Sequence, residues 1–180
     1  MPSYDRIADL PFTIEGYELE ALSLQVSSGF ERVSTIVHLR GGGEEGLGED
    51  VTYDAGDQRR QQDLGPVLEL AGSWTIGSFS AHLAGLDLFP AQPPEQPAYR
   101  LYRRWAFESA ALDLALRQNG LSLEQAIGRE ARPVNFVASI RLGEPPDLRE
   151  LHGWLRQNPD LRLKLDPTPG PRSTRRGGPR

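Results

Sequence analysis

The chain has 180 residues, of which 38% are hydrophobic and 25% charged, which is enough apolar content for a real core. Its formal net charge of −5 disfavours general nucleic-acid binding. Because it has no cysteine, disulfides, thiolate metal sites and a cysteine nucleophile are excluded. With no apolar run of membrane-spanning length and no signal-peptide core at the N-terminus, we expect no membrane association and a cytoplasmic location.

The first third of the sequence predicts an antiparallel meander of three strands. Residues 12–26 hold alternating apolar positions, and a turn at 27–29 leads into a run over 30–39 that is rich in β-branched side chains. The glycine-rich segment 41–46 predicts a second turn, and the third strand follows at 47–53. Glu44 and Glu45 in this segment and Glu49 after it would repel a phosphate, so we interpret this glycine segment as a hairpin turn and not as a phosphate-binding loop.

Helical patterns follow the meander. The apolar spacing predicts a long helix over 99–119, ended by Gly120, and a short helix that Ser122 and Gln125 begin as a capping box. Two further helices are predicted at 56–64 and 78–88. Glu108 and Asp113 on the long helix lie five residues apart, a spacing that favours packing or capping contacts over acid–base chemistry.

The pattern changes after Pro133. A strand over 134–142, a helix that Asp147 caps, and a strand over 161–165 predict a βαβ unit with parallel strands. Residues 167–180 contain four prolines, three glycines and four arginines, a composition that predicts a disordered tail and leaves −9 on residues 1–166. The predicted fold class is therefore α+β, divided into a first domain at 1–131, a βαβ segment at 132–166 and the tail.

Lys164 is the single lysine among twenty basic residues, and the other nineteen are arginines. A lysine can act as a general base when its environment favours the neutral amine, whereas an arginine cannot. Strand alternation places Arg162, Lys164 and Asp166 on one face. This face either points to solvent on an ordinary strand or carries a catalytic group.

Four motifs occur in a fixed order: Gly46-Leu47-Gly48-Glu49 on the third strand, Glu108-x-Ala110-x-x-Asp113 on the long helix, the short turn at 120–128, and Arg162-x-Lys164 at the end of the last strand. In this order the chain resembles the enolase superfamily over residues 12–166, in particular its mandelate racemase and muconate-lactonising branch. That family has G-x-G-E, E-x-A-x-x-D and K-x-K at the corresponding places.

The resemblance implies an enolase N-terminal-like capping domain at 1–131, followed by the start of an incomplete (β/α) barrel. Lys164 then corresponds to the acid/base catalyst, and Arg162 replaces the first lysine as a substrate-binding cation. Ser28 and Phe30 fall in the turn that corresponds to the mobile capping loop over the substrate. The implied reaction is proton abstraction α to the carboxylate of a small substrate, and the slight preference is for an o-succinylbenzoate synthase-like enzyme.

In that family Mg²⁺ stabilises the enediolate, and its carboxylate ligands lie on barrel strands three to five. The chain ends after strand two, so Mg²⁺ is expected for the complete family member and not for this chain alone. The first hypothesis is therefore the N-terminal portion of a lyase or isomerase, inactive as it stands and prone to self-association through an exposed parallel edge. The change at Pro167 would then reflect a reading-frame shift, an expression scar or a natural tail.

Two other hypotheses place function outside catalysis. The capping-domain fold could serve as a binding or interaction module, with the βα segment docking on a partner. The arginines of the tail could also attract RNA, although a solvated tail is the simpler interpretation.

Overall fold

The computed structural model describes residues 2–26, 29–143 and 145–166. The chain divides into two compact units, Met1–Ala131 and Arg132–Arg180. The first unit contains, in order, α1 (Ser3–Ile7), β1 (Pro11–Ile14), β2 (Gly16–Gln25), β3 (Glu31–Gly41), β4 (Glu44–Asp50), α2 (Ala55–Leu64), β5 (Gly72–Thr75), α3 (Ile76–Gly85), α4 (Tyr99–Gln118) and α5 (Leu123–Ile127). The second contains β6 (Val137–Ile140), α6 (Arg149–Gln157) and β7 (Arg162–Leu165).

The predicted α+β class is confirmed, because β2, β3 and β4 form a three-stranded antiparallel sheet in chain order and helices follow it. The segment predicted as one strand over 12–26 is two strands. β1 leaves the meander and pairs antiparallel with β5, a short strand that the sequence pattern did not predict. The predicted disordered tail lies outside the described residues.

The turns and helix ends follow local sequence signals. Gly42 and Gly43 have φ values of 58° and 77° in the β3–β4 turn, a region that favours glycine. Ser122 and Gln125 form the predicted capping box of α5, and Gly128 ends that helix in a left-handed conformation. The predicted long helix is α4, which ends at Gln118.

Helix α4 packs directly on the meander over two glycines. Val37 and Leu39 on β3 lie opposite Gly48 and Gly46 on β4, so these four residues share the sheet face that α4 covers. A Cβ atom at Gly48 would collide with the carbonyl oxygen of Ala106, and one at Gly46 with backbone atoms of α4. The core that results is made of buried residues between 12 and 115: Phe12, Ile14, Val37, Leu39, Leu70, Ile76, Phe79, Leu83, Leu88, Phe89, Ala106, Phe107, Ala110, Ala111, Leu114 and Ala115.

The second unit is a βαβ segment, as the sequence predicted. β6 and β7 pair in parallel, with Ser139 opposite Lys164 and Ile140 opposite Leu165. Within the described residues, the buried apolar side chains of this unit are Ile140 and Leu151, and Leu151 lies on α6. A parallel crossover generally packs its helix against one face of the strand pair, and each of these two elements, β6 and α6, contributes one buried apolar side chain.

Candidate functional site

The second unit presents a polar strand face that carries two of the four predicted site residues. Because side chains alternate along a strand, Arg162 and Lys164 lie on one face of β7, and Ser139 lies beside Lys164 on the same face of β6. Ile140 and Leu163 point to the other face. The side chain of Lys164 is 64% exposed, so its amine is open to solvent and to any molecule that approaches this face.

A carboxylate joins the groups on this face. Asp166 follows β7, and its Oδ1 lies 2.8 Å from Lys164 Nζ, while its Oδ2 accepts a 2.9 Å hydrogen bond from Ser139 Oγ. These bonds, first that of Lys164 and then that of Ser139, lower the pKa of Asp166 from its ordinary value, and the nearby charge of Arg141 acts in the same direction. The face therefore places the side-chain nitrogen of Lys164 beside a carboxylate whose ionised form these hydrogen bonds favour.

The other two predicted site residues belong to the β2–β3 hairpin of the first unit. Ser28 lies outside the described residues. Phe30 precedes β3, its backbone oxygen accepts a 2.9 Å hydrogen bond from Val26 N, and its side chain is 47% exposed. The structure therefore brings Arg162 and Lys164 together on β7, and Phe30 belongs to a different unit of the chain.

The motif residues of α4 have packing contacts. Glu108 Oε1 accepts hydrogen bonds from Ser80 Oγ at 2.6 Å and from Arg104 Nε at 2.8 Å. Asp113 Oδ2 accepts a 3.0 Å bond from Leu47 N on β4, whose outer edge has no neighbouring strand in this sheet. The two acids thus attach α4 to α3 and to the sheet, which is the packing interpretation that their spacing favoured.

A buried ionic network in the first unit was not predicted. Arg103 on α4 is 3% exposed, and its Nε donates a 2.8 Å bond to Oδ2 of Asp50, which is fully buried. Its other nitrogens donate to the backbone oxygens of Leu88 and Asp57, at 3.0 and 3.1 Å, and its guanidinium lies 3.6 Å from the ring centroid of Phe89. Burial lowers the pKa of Arg103, and the charge of Asp50 opposes that shift.

This network is a structural element, because Arg103 is surrounded by protein groups that use its donors. The helical spacing of α4 does indicate that Arg103 is buried. Arg103 stands four residues before Phe107 and so occupies the apolar stripe of α4, where an arginine is buried only with a partner. The partner itself, Asp50, lies 53 residues earlier and gives no local signal.

In the part of the chain that the structure describes, no three His, Cys, Asp or Glu side chains converge as a metal site. Within that same part, none of the helices has both the length and the hydropathy required to cross a bilayer.

Comparison with protein families matches nearly the whole chain in two parts. The model described as the N-terminal domain of the domain of unknown function DUF8230 matches residues 5–126. The chain belongs to the DUF8230 family. The C-terminal domain model of DUF8230 matches residues 130–173, which include Arg162, Lys164 and Asp166 and extend past Pro167. The search of curated proteins returned no match.

Proposed function

We propose that the chain is the N-terminal portion of an enolase-superfamily lyase or isomerase that moves a proton α to a carboxylate, with a slight preference for the o-succinylbenzoate synthase type. The first unit would be the capping domain, and β6, α6 and β7 the first segments of the barrel. The observation that carries the proposal is the position of Lys164, whose exposed amine lies on the strand face opposite Ile140 and Leu163. A barrel built outward from this pair would enclose that face.

In this role Arg162 and Lys164 on β7 would have different functions. Arg162 is exposed on the same face as Lys164 and has no ion-pair partner among the described residues, so it is free to bind the carboxylate of a small substrate. Lys164 would transfer the proton at the α-carbon through Nζ.

Mg²⁺ in the complete enzyme would stabilise the negative charge of the deprotonated substrate. The described residues do not fit that ion, because no three of their possible ligands converge, and we therefore derive no step through it. The present chain would then be inactive alone. We also propose a cytoplasmic location, no nucleic-acid or membrane partner, and self-association through the open edges of the two-stranded parallel pair.

The test begins with the encoding DNA, read past the codon for Pro167 in all three frames. A frame that continues with strand–helix repeats and acidic strand ends would be expressed as the extended protein. In D₂O, that protein should exchange the α-proton of a panel of small carboxylates. Lys164→Ala and Lys164→Arg should each slow exchange by about 100-fold or more, as expected when an acid–base group is removed.

Arg156→Ala is the matched control, because Arg156 is an exposed cation of the same unit on α6. Its exchange rate should equal that of the unmodified protein. If the Lys164 variants also exchange at the unmodified rate, Lys164 is an ordinary solvent-facing strand residue and the proposal fails.

A non-catalytic interaction module is a second candidate, favoured by apolar side chains near the turn of the β2–β3 hairpin. Leu22, Leu24 and Phe30 are all exposed there. Light scattering after size-exclusion chromatography distinguishes the two candidates. Self-association that Leu24→Ser abolishes would indicate the hairpin, association that persists in this variant would support the open barrel edge, and a monomer at all concentrations would argue against that edge.

A further inference from the structure

Helix α4 has a mostly apolar, partly exposed stripe beside the face that it buries. Its members recur at i, i+4, i+7 and i+11, the spacing that keeps side chains on one side of a helix: Leu101, Trp105, Glu108 and Leu112. Leu101 is 66% exposed and Trp105 is 62% exposed, although both side chains are large and apolar. The buried face of α4 already packs in the core, so this stripe, which we call the α4 stripe, is available to another molecule.

A cavity beside the α4 stripe has room for an aromatic ring. It lies between α1, α3 and α4, and its volume is about 210 Å³. That is larger than the roughly 150 Å³ of an apolar cavity that binds benzene. Phe79 and Ala111 line it and are each 1% exposed, so the cavity reaches down to the core. Trp105 also lines it but stays largely exposed, so the chain's own indole leaves this space open.

The α4 stripe is symmetric about its own midpoint. Leucines stand at its two ends, and Trp105 and Glu108 stand at equal distances from its centre. Reversing the direction of the helix therefore exchanges Leu101 with Leu112 and Trp105 with Glu108. A second α4 that crosses in the antiparallel direction would place Leu101 against Leu112 of the second copy, and Trp105 beside its Glu108. A surface that complements itself in this way is what a twofold-symmetric dimer requires.

The polar groups of the α4 stripe complement each other in the same arrangement. Glu108 Oε1 accepts the bonds from Ser80 and Arg104, whereas its Oε2 has no hydrogen-bond partner among the described residues. In the antiparallel arrangement, the indole N–H of Trp105 can donate to that free oxygen of the second copy. Arg104 precedes Glu108 by one helical turn, so it would lie beside the Glu108 carboxylate of the second copy. Twofold symmetry makes each of these contacts twice, which gives the surface charge complementarity to itself.

We propose that the α4 stripe is the interface of a twofold-symmetric dimer, in which Trp105 of each copy enters the cavity of the other. All the groups that make this interface belong to the first unit, so the inference goes beyond the proposed function and does not depend on Lys164. The interface is also separate from the β2–β3 hairpin turn and from the edges of the parallel strand pair. One helix face is a small contact area, so the dimer should be weak and its population should depend on concentration.

Sedimentation velocity of the full chain tests the dimer. Between about 1 μM and about 200 μM, the range of weak association, it should show an equilibrium between monomer and dimer. Trp105→Ala should raise the dissociation constant by about 10-fold or more, because a central aromatic side chain dominates the energy of such an interface. The far-UV circular dichroism of this variant should be unchanged, since Trp105 is exposed. Leu24→Ser is the matched control: Leu24 is an exposed apolar residue of the same unit, 65% exposed, and its variant should keep the unmodified dissociation constant.

Introduced cysteines test the antiparallel arrangement directly, because the chain has no cysteine of its own. One variant would carry both Leu101→Cys and Leu112→Cys. These positions lie about 16 Å apart along the axis of α4. A disulfide needs Cα atoms about 4–7 Å apart, so the two cysteines cannot pair within one chain. Oxidation of the double variant should give a disulfide-linked dimer on a non-reducing gel, whereas each single variant should give far less.

Three results would overturn the proposal. The first is a chain that stays monomeric over the whole concentration range. The second is a dimer that Trp105→Ala leaves unchanged, which would place the association at the hairpin or at the parallel strand edge. The third is cross-linking of either single cysteine variant as complete as that of the double variant, because it would show that the two helices do not cross in the antiparallel register.

Discussion

Gly48→Ala is expected to destabilise the first unit strongly. The added Cβ would lie in contact with the carbonyl oxygen of Ala106 and 2.8 Å from the backbone nitrogen of Ala110, and real Cβ contacts essentially never fall below 3.0 Å. These are backbone atoms of a long helix, so no side-chain rotation can relieve the contact. Helix α4 would have to move away from the sheet and lose packing against Val37, which is fully buried.

The size of the effect follows from this contact. Forcing a methyl group into a packed core costs about 1–3 kcal/mol, and we expect the upper end, about 3 kcal/mol, because only backbone can give way. For a protein of this size that corresponds to a fall of about 6–12 °C in Tm. Urea unfolding followed by far-UV circular dichroism would give the free energy of unfolding, and a thermal scan would give Tm.

Gly16→Ala is the matched control in the same sheet. A Cβ at Gly16 meets no atom within 4 Å and its φ is not in the left-handed region, so its free energy of unfolding should change by no more than about 0.5 kcal/mol. If both variants unfold at the same urea concentration, the close approach of α4 to β4 does not limit stability and the packing argument is refuted.

Two further predictions concern the charged groups. Arg103→Met leaves the carboxylate of Asp50 buried without its ion-pair partner, so the free energy of unfolding should fall by about 3–5 kcal/mol. Adding Asp50→Leu should restore part of that stability, and urea unfolding midpoints would check both variants. An Arg103→Met protein as stable as the unmodified chain would contradict the prediction. The pKa of Asp166 lies below its ordinary value because Lys164 and then Ser139 donate to it, so Lys164→Met should raise that pKa, as measured by carboxyl-carbon NMR. The stability that Asp166 contributes is fully present above its unfolded-state pKa of about 3.9 and is lost as pH falls through the lower folded-state pKa. If the Asp166 carboxyl signal titrates identically in the unmodified chain and in Lys164→Met, the contact between Lys164 and Asp166 is not formed in solution.

The sequence predicted the elements whose signals are local. The meander follows from strand alternation and glycine turns, and α4 follows from apolar spacing that ends at Gly120. The β1–β5 sheet was missed because β5 has only four residues, and its pairing of Phe12 with Trp74 is set by residues far apart in the chain. Short strands with distant partners carry little periodicity.

The sequence likewise predicted the part of the candidate site that depends on local strand alternation, and not the part that depends on strand pairing. Alternation alone placed Arg162, Lys164 and Asp166 on one face of the last strand. The contribution of Ser139 depends on the register between β6 and β7, which a local pattern does not specify. The Asp50–Arg103 pair was missed because burial of an ion pair depends on tertiary contacts, although the position of Arg103 in the apolar stripe was visible in the sequence.

The distribution of core residues along the chain has a consequence for biosynthesis. Every member of the main hydrophobic cluster lies between Phe12 and Ala115, and the last of them are on α4. On a ribosome, the first unit can therefore close once α4 has emerged from the exit tunnel, whereas β7 is translated later. The nascent first unit would fold ahead of β7, and the order of synthesis would separate the formation of the main hydrophobic core from that of the strand face that carries Lys164.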